Sequence, residues 1–215
     1  MAASIIILTG KAEWPFLRDV LKENSPELRV AWAPNGQELE YTCGGQDVST
    51  ARLISFCSSV IVRPKILNLF QGPAYNFHPG PPDYRGMGCV NFALYENSTF
   101  FGSTAHLIDE KIDHGKIINI KKFKLNGKKN IDEILSKTYK IMFNQAIKVI
   151  NDTIKNPKII KKKIDKNKKI KWSNKIGTLK DLNKLLKINK NIGTKNFIKK
   201  ISTNKTLKFK SNIDR

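Results

Sequence analysis

Asn76 and His78 stand two residues apart just ahead of a proline-rich turn, and Asp113 lies in an acidic loop further along the chain. If residues Ala74 to His78 form a strand, its alternation places the Asn76 amide and the His78 imidazole on one face. The strand must stop there, because Pro79, Pro81 and Pro82 have no N–H to give to a ladder. In an open α/β sheet, side chains at strand ends border the crevice where ligands collect. An amide, an imidazole and a carboxylate suit acyl transfer. The amide N–H and a protonated ring donate to a carbonyl oxygen as it gains negative charge. A carboxylate beside the ring favours the imidazolium. That carboxylate, or a water on it, can also receive the proton of an attacking amine. Spacing alone does not bring Asp113 to His78; the elements around them must.

Those elements alternate. Ser4 to Thr9 reads as a first strand buried on both faces, and Trp14 to Lys22 as a helix with Phe16, Leu17, Val20 and Leu21 in an apolar stripe. The turn at Gly10 and Lys11 lacks the Gly-x-x-x-x-Gly-Lys-Ser/Thr pattern of a phosphate loop. Leu28 to Trp32 reads as a second strand, and Asn35 to Val48, rich in Gly, Gln and Asp, as loop. Leu53 to Val62 is expected as a strand broken by Arg63-Pro64, with a short helix over Lys65 to Phe70. Further on, the pattern predicts a helix over Met87 to Glu96, strands over Phe101 to Ile108 and Ile117 to Leu125, and a polar loop between those strands. A long amphipathic helix is expected from Ile131 to Ile154, with Asn130 as N-cap and Asp132 and Glu133 in its first turn.

Strands alternating with helices predict an α/β fold with a mostly parallel, open twisted sheet. After about Lys155, lysine, asparagine and isoleucine dominate. We therefore expect a catalytic domain over residues 1–155 and a lysine-rich extension over 156–215. The extension carries short helices, one over Thr178 to Ile188 with Thr178 and Asp181 as an imperfect capping box.

The chain of 215 residues is long enough for one ordinary domain with an extension. No apolar run approaches the roughly 20 residues that cross a bilayer, so no membrane role is expected. Cys43, Cys57 and Cys89 are odd in number and widely spaced, which argues against a disulfide framework and points to the cytoplasm. His78, His106 and His114 have no accompanying ligand motif, and no metal is expected. A net charge of +21 suggests contact with phosphates or nucleic acid. That charge is concentrated in the lysine-rich tail, which carries no interleaved aromatic platform for bases; its Lys, Asn and Ile enrichment also fits a base-composition bias of the gene.

Asn76-Phe77-His78-Pro79, Arg85-Gly86, Gly102-Ser103-Thr104-Ala105-His106 and Asp109-Glu110-Lys111-Ile112-Asp113-His114-Gly115, in that order, resemble the formyltransferases that use 10-formyltetrahydrofolate. That family includes glycinamide ribonucleotide, methionyl-tRNA and nucleotide-sugar formyltransferases, and the likeness runs from about Arg52 to Ile118. It implies a Rossmann-like sheet and a catalytic set of Asn76, His78 and Asp113. It also implies a pterin site between Val60, Val62, Arg63 and Pro64 on one side and Asp109 to Asp113, with Ile112, on the other, read largely by backbone groups. Two departures stand out. The turn after His78 is Gly80-Pro81-Pro82 where the family has Ser or Ala followed by Leu-Leu-Pro, and the chain before Leu53 is short, so one βα unit is expected to be reduced or missing. Pro81 and Arg85 are the residues expected on the acceptor side, Arg85 towards an anionic group. Trp172-Ser173 followed by Thr178 resembles a short element in some tails of the family. The implied reaction moves a formyl group from 10-formyltetrahydrofolate to a primary amine, most naturally a nucleotide-linked amino sugar or similar small amine. The alternatives are an aminoacyl-tRNA acceptor of the methionyl-tRNA kind, or a non-catalytic basic RNA-associated protein on the same scaffold. The oligomeric state is not legible from the chain.

Overall fold

The computed structural model describes residues 4–125 and 130–188. The part of the expected extension beyond residue 188 lies outside the described residues. Strand β1 (Ser4–Leu8) is followed by α1 (Trp14–Asn24), β2 (Arg29–Ala33), α2 (Gly36–Gly44), β3 (Arg52–Phe56) and α3 (Pro64–Leu67). Then come β4 (Tyr75–His78), the two-residue β5 (Arg85–Gly86), α4 (Cys89–Tyr95), β6 (Phe100–Leu107) and β7 (Ile117–Lys124). Helices α5 (Ile131–Lys155) and α6 (Pro157–Asn167), the short β8 (Ile176–Gly177) and α7 (Leu179–Ile188) complete the order.

The main sheet has the order β2-β1-β3-β4-β6-β7. β1 to β4 pair in parallel, β6 runs antiparallel to β4, and β7 antiparallel to β6. The sheet is mostly parallel, as expected. Alternation sorts β1 onto two faces. Ile5 and Ile7 pack with Leu17 and Leu21 of α1, with Met142, Ala146, Val149 and Ile150 of α5, and with Ile160 of α6. Ile6 and Leu8 pack on the other face with Leu39 and Cys43 of α2 and Ile66 of α3. Each such fully buried aliphatic side chain contributes about 1.5–3 kcal/mol by leaving water. Ile160 belongs to the same core as β1, so the packing continues across residue 155 into α6.

Three stretches differ from the sequence-based expectation. Asn35 to Val48 is not all loop. Asn35 turns into a cap whose Oδ1 accepts from the Glu38 N–H at 2.9 Å, and Leu39 and Cys43, one helical turn apart, are buried. Two complete βα units thus precede β3. The strand over Leu53 to Val62 ends early, at Phe56, because Cys57 takes a left-handed backbone conformation (φ 49°) that no strand tolerates. The Ser58 hydroxyl then accepts from the Val60 N–H at 3.1 Å, so residues 57–63 leave the ladder as an irregular segment. Helix α3 starts at Pro64 rather than Lys65 and is only four residues long. In the basic region Asn156 caps α6, accepting from the Lys158 N–H at 3.0 Å. Thr178 and Asp181 form a complete capping box, with the Asp181 N–H donating to Thr178 Oγ1 (3.1 Å) and the Thr178 N–H to Asp181 Oδ2 (3.2 Å).

Candidate active site

Strand β4 presents Asn76 and His78 on one face, as alternation requires, and β6 runs beside it with His106 directly opposite Asn76. The β6–β7 register shifts between Ala105 and His106, where Ile118 of β7 is the extra residue, the kind of irregularity that re-aims a side chain. Asn76 Nδ2 lies 3.1 Å from His106 Nε2. The loop between β6 and β7 folds back over both rings and delivers Asp113. Its Oδ2 is 3.1 Å from His78 Nδ1, and its Oδ1 is 3.5 Å from His106 Nε2. The other ring nitrogen of His78 donates to the Tyr84 carbonyl at 2.6 Å, while His106 Nδ1 donates to the Leu107 carbonyl at 2.7 Å. Both rings are 2% exposed. His78 therefore has an acceptor at each nitrogen, the environment of an imidazolium. The Asn76 amide carries a second N–H besides the one facing His106, and its side chain lines the cleft.

Burial works against charge on His78, but the Cys89 sulfur and, through a hydrogen bond and its charge, Asp113 more than offset it and hold the imidazolium well above its ordinary range. Burial likewise pushes the Asp113 carboxyl up, yet the hydrogen bonds from His106 and His78 outweigh it and keep the carboxylate well below the usual range.

Asp113 occupies the left-handed region (φ 43°), a conformation that costs a non-glycine residue roughly 1–3 kcal/mol. Several donors hold it there. The Gly86 N–H donates to Asp113 Oδ2 at 3.0 Å. Arg85 Nη2 donates to the Ile112 carbonyl at 2.6 Å, and Trp172 Nε1 to the Gly115 carbonyl at 2.8 Å. Gly115 itself must be glycine, since a Cβ there would sit 1.8 Å from the Leu107 carbonyl oxygen.

The cluster opens into a cleft of about 690 Å³. Asn76, His78, His106 and Asp113 line it, together with Val60, Val62, Ile108, Asp109 and Ile112, and with Met87, Ile176 and Leu179 at the mouth. The segment 57–63 is free of sheet pairing, so its backbone can meet the polar edge of a flat heterocycle between apolar walls, and the lining fits a pterin. Not every expected residue is there. Arg63 is exposed and lies 3.8 Å from Glu40, and Pro64 begins α3; neither lines the cleft. The substrate roles expected for Pro81 and Arg85 do not match the geometry either. Arg85 is 7% exposed, and its two terminal nitrogens are spent on the Ile112 and Ser173 carbonyls, so it clamps backbone instead of meeting an anion. Pro81 is buried, and its carbonyl accepts from the Tyr84 N–H at 3.0 Å in the turn that carries the His78 partner. Among the described residues no group of His, Cys, Asp or Glu side chains is arranged to hold a metal ion, and His114 pairs instead with Asp109 at 2.8 Å.

Two residues at the site were not assigned a part in it from sequence. His106 was readable, since it closes an alternating strand that must pair with the one carrying Asn76. Trp172 had only the likeness of Trp172-Ser173 to a short element of the family's tails as a signal, because it comes from beyond α6, where β8 pairs with β5. That pairing needs the absence of side chains. A Cβ on Gly177 would lie 2.3 Å from the Met87 carbonyl oxygen. Gly177→Ala is expected to lower stability by about 1–3 kcal/mol, measurable by urea unfolding, as backbone is forced apart. An unchanged midpoint would show that the contact yields without cost.

Residues 50–150 match the model of the formyl transferase family. The chain is 36% identical over 78 residues to methionyl-tRNA formyltransferase of Mycoplasmopsis pulmonis, a match covering 36% of this chain and 27% of that protein. It covers between 16% and 37% of the length of the first curated relatives it matches. Its fold is that of a 4-N formyltransferase from Francisella tularensis (TM-score 0.61, 20% identity, 84% of this chain and 77% of that one). It is also that of the formyltransferase PseJ from Anoxybacillus kamchatkensis (TM-score 0.59, 22% identity, 87% and 92%).

Proposed function

We propose that this chain, which through residues 50–150 belongs to the formyl transferase family, transfers a formyl group from 10-formyltetrahydrofolate to a primary amine. The observation that carries the reading is the Asp113 carboxylate 3.1 Å from His78 Nδ1, beside Asn76, on the wall of a cleft that fits a pterin. The donor supplies an electrophilic formyl carbon attached to N10. The second N–H of Asn76 and an N–H of the His78 imidazolium meet the formyl oxygen as an acceptor amine adds to its carbon. To do so His78 exchanges one of its present acceptors for the substrate oxygen. Asp113, directly or through a water, takes the proton that the attacking nitrogen sheds, and that proton ends on N10 as the C–N10 bond breaks. The products are a formamide and tetrahydrofolate. Val60, Val62 and the backbone of residues 109–113 would hold the pterin.

For the acceptor we favour a nucleotide-linked amino sugar. The PseJ structure contains UDP-4,6-dideoxy-4-formamido-L-AltNAc and tetrahydrofolate, and an N-formyltransferase of Helicobacter canadensis with the same fold holds folinic acid and dTDP-3-aminofucose. An aminoacyl-tRNA is the second reading, favoured by the methionyl-tRNA relative and by the charge of +21. Tetrahydrofolate release, followed spectrophotometrically with nucleotide amino sugars, glycinamide ribonucleotide and methionyl-tRNA, decides between them. Asn76→Ala serves as control and is expected to lower the rate about 10²–10³-fold, the cost of one oxyanion donor. No turnover with any amine or charged tRNA would sink the enzyme reading, and RNA binding with a steep salt slope would then favour a non-catalytic basic protein.

A further inference from the structure

We infer that Trp172 is a positioning residue of this site, and that the strap of residues 170–178 is a working part of it; the inference rests on the formyl-transfer reading. The indole stands edge-on to both imidazoles, 5.0 Å from the His106 ring at 81° and 5.7 Å from the His78 ring at 76°. It packs against both rings without itself lining the cleft. With the indole in place both histidines are almost fully removed from water. In such a medium the attraction between Asp113 and His78 is weakly screened.

The same side chain fixes the loop that carries the carboxylate. Its Nε1 donates to the Gly115 carbonyl, two residues past Asp113. The neighbouring strap residue, Ser173, gives its carbonyl to Arg85 Nη1 (2.9 Å), while Arg85 Nη2 holds the Ile112 carbonyl, one residue before Asp113. The strap is sewn down at both ends of this contact. The Ser173 N–H donates to the Pro82 carbonyl (2.9 Å), the Met87 N–H to the Gly177 carbonyl (2.8 Å), and β8 pairs with β5. One short segment from beyond α6 therefore holds the Asp113 loop directly at Gly115 and, through Arg85, at Ile112, on either side of a residue in the left-handed region.

Trp172→Ala and Trp172→Phe test this against wild type. In the alanine variant we expect kcat to fall about a hundredfold, the effect of a misplacement near 1 Å, with the KM for the formyl donor within about threefold. In ¹⁵N spectra of the imidazoles the signals of His78 and His106 should move while those of His114, paired with Asp109 at the surface, stay. The phenylalanine variant keeps an aromatic ring and loses the bond to Gly115, and should recover part of the rate. Alanine with wild-type kcat, or a lowered melting temperature with unmoved His78 and His106 signals, would overturn the inference and leave Trp172 a merely structural residue. The spectra judge it even without a known acceptor. A wild-type protein that formylates no amine sinks the functional reading instead.

Discussion

Asp113→Asn is expected to reduce formyl transfer by about 10²–10⁴-fold, the range over which a positioned proton acceptor acts. The substitution is nearly isosteric, and an amide oxygen can still accept from the Gly86 N–H, so the loop has little reason to move. What disappears is charge. Without the carboxylate the His78 imidazolium keeps the Cys89 sulfur but loses the Asp113 hydrogen bond and charge that help offset its burial, and the ring shifts towards the neutral form. The attacking amine loses its proton acceptor at the same time. Steady-state rates over pH 5–9, with circular dichroism to check folding, are the measurement. A folded variant within about threefold of wild type at every pH would remove Asp113 from the proton transfer, because one pKa unit alone is worth about 1.4 kcal/mol, or tenfold.

His78→Asn should abolish detectable transfer and also change how stability depends on pH. The signs are opposite for the two partners. The His78 pKa is raised in the folded protein, so its contribution is fully present below the unfolded value of about 6.5 and is lost as pH rises through the folded value. The Asp113 pKa is lowered, so its contribution is present above about 3.9 and is lost as pH falls through the folded value. Their pairing therefore stabilises most between about pH 4 and 6.5. The stability gap between wild type and His78→Asn should narrow as pH rises from 6 to 9, read from urea unfolding at each pH. A gap that does not change across that interval would mean His78 is neutral in the fold, and the imidazolium role would fall with it.

Much of the molecule was legible because local patterns matched their surroundings. Ile5 to Leu8 alternate between two apolar faces, and the cap at Asn130 sits where Asn precedes a helical stripe. Asn76 and His78 share a face because a strand leaves them no choice. The misreadings have physical causes. Helix α2 hides behind glycines because its only strong signals are one cap and two buried residues a turn apart. β3 ends early through a single left-handed residue, Cys57, which no propensity announces. Arg85 looked like an anion binder, but its burial, settled only when the strap arrives, turns its nitrogens onto carbonyls.

By itself the sequence determined which side chains can do chemistry, the strand that aligns two of them, and the alternation that builds the sheet, because these depend on neighbours a few residues apart. Tertiary structure alone decided that Asp113 meets His78, that His106 joins them and that Trp172 packs edge-on against both rings. These contacts link positions 7 to 94 residues apart, across a bulge, a strained loop and two glycines in close approach, and no local period encodes them.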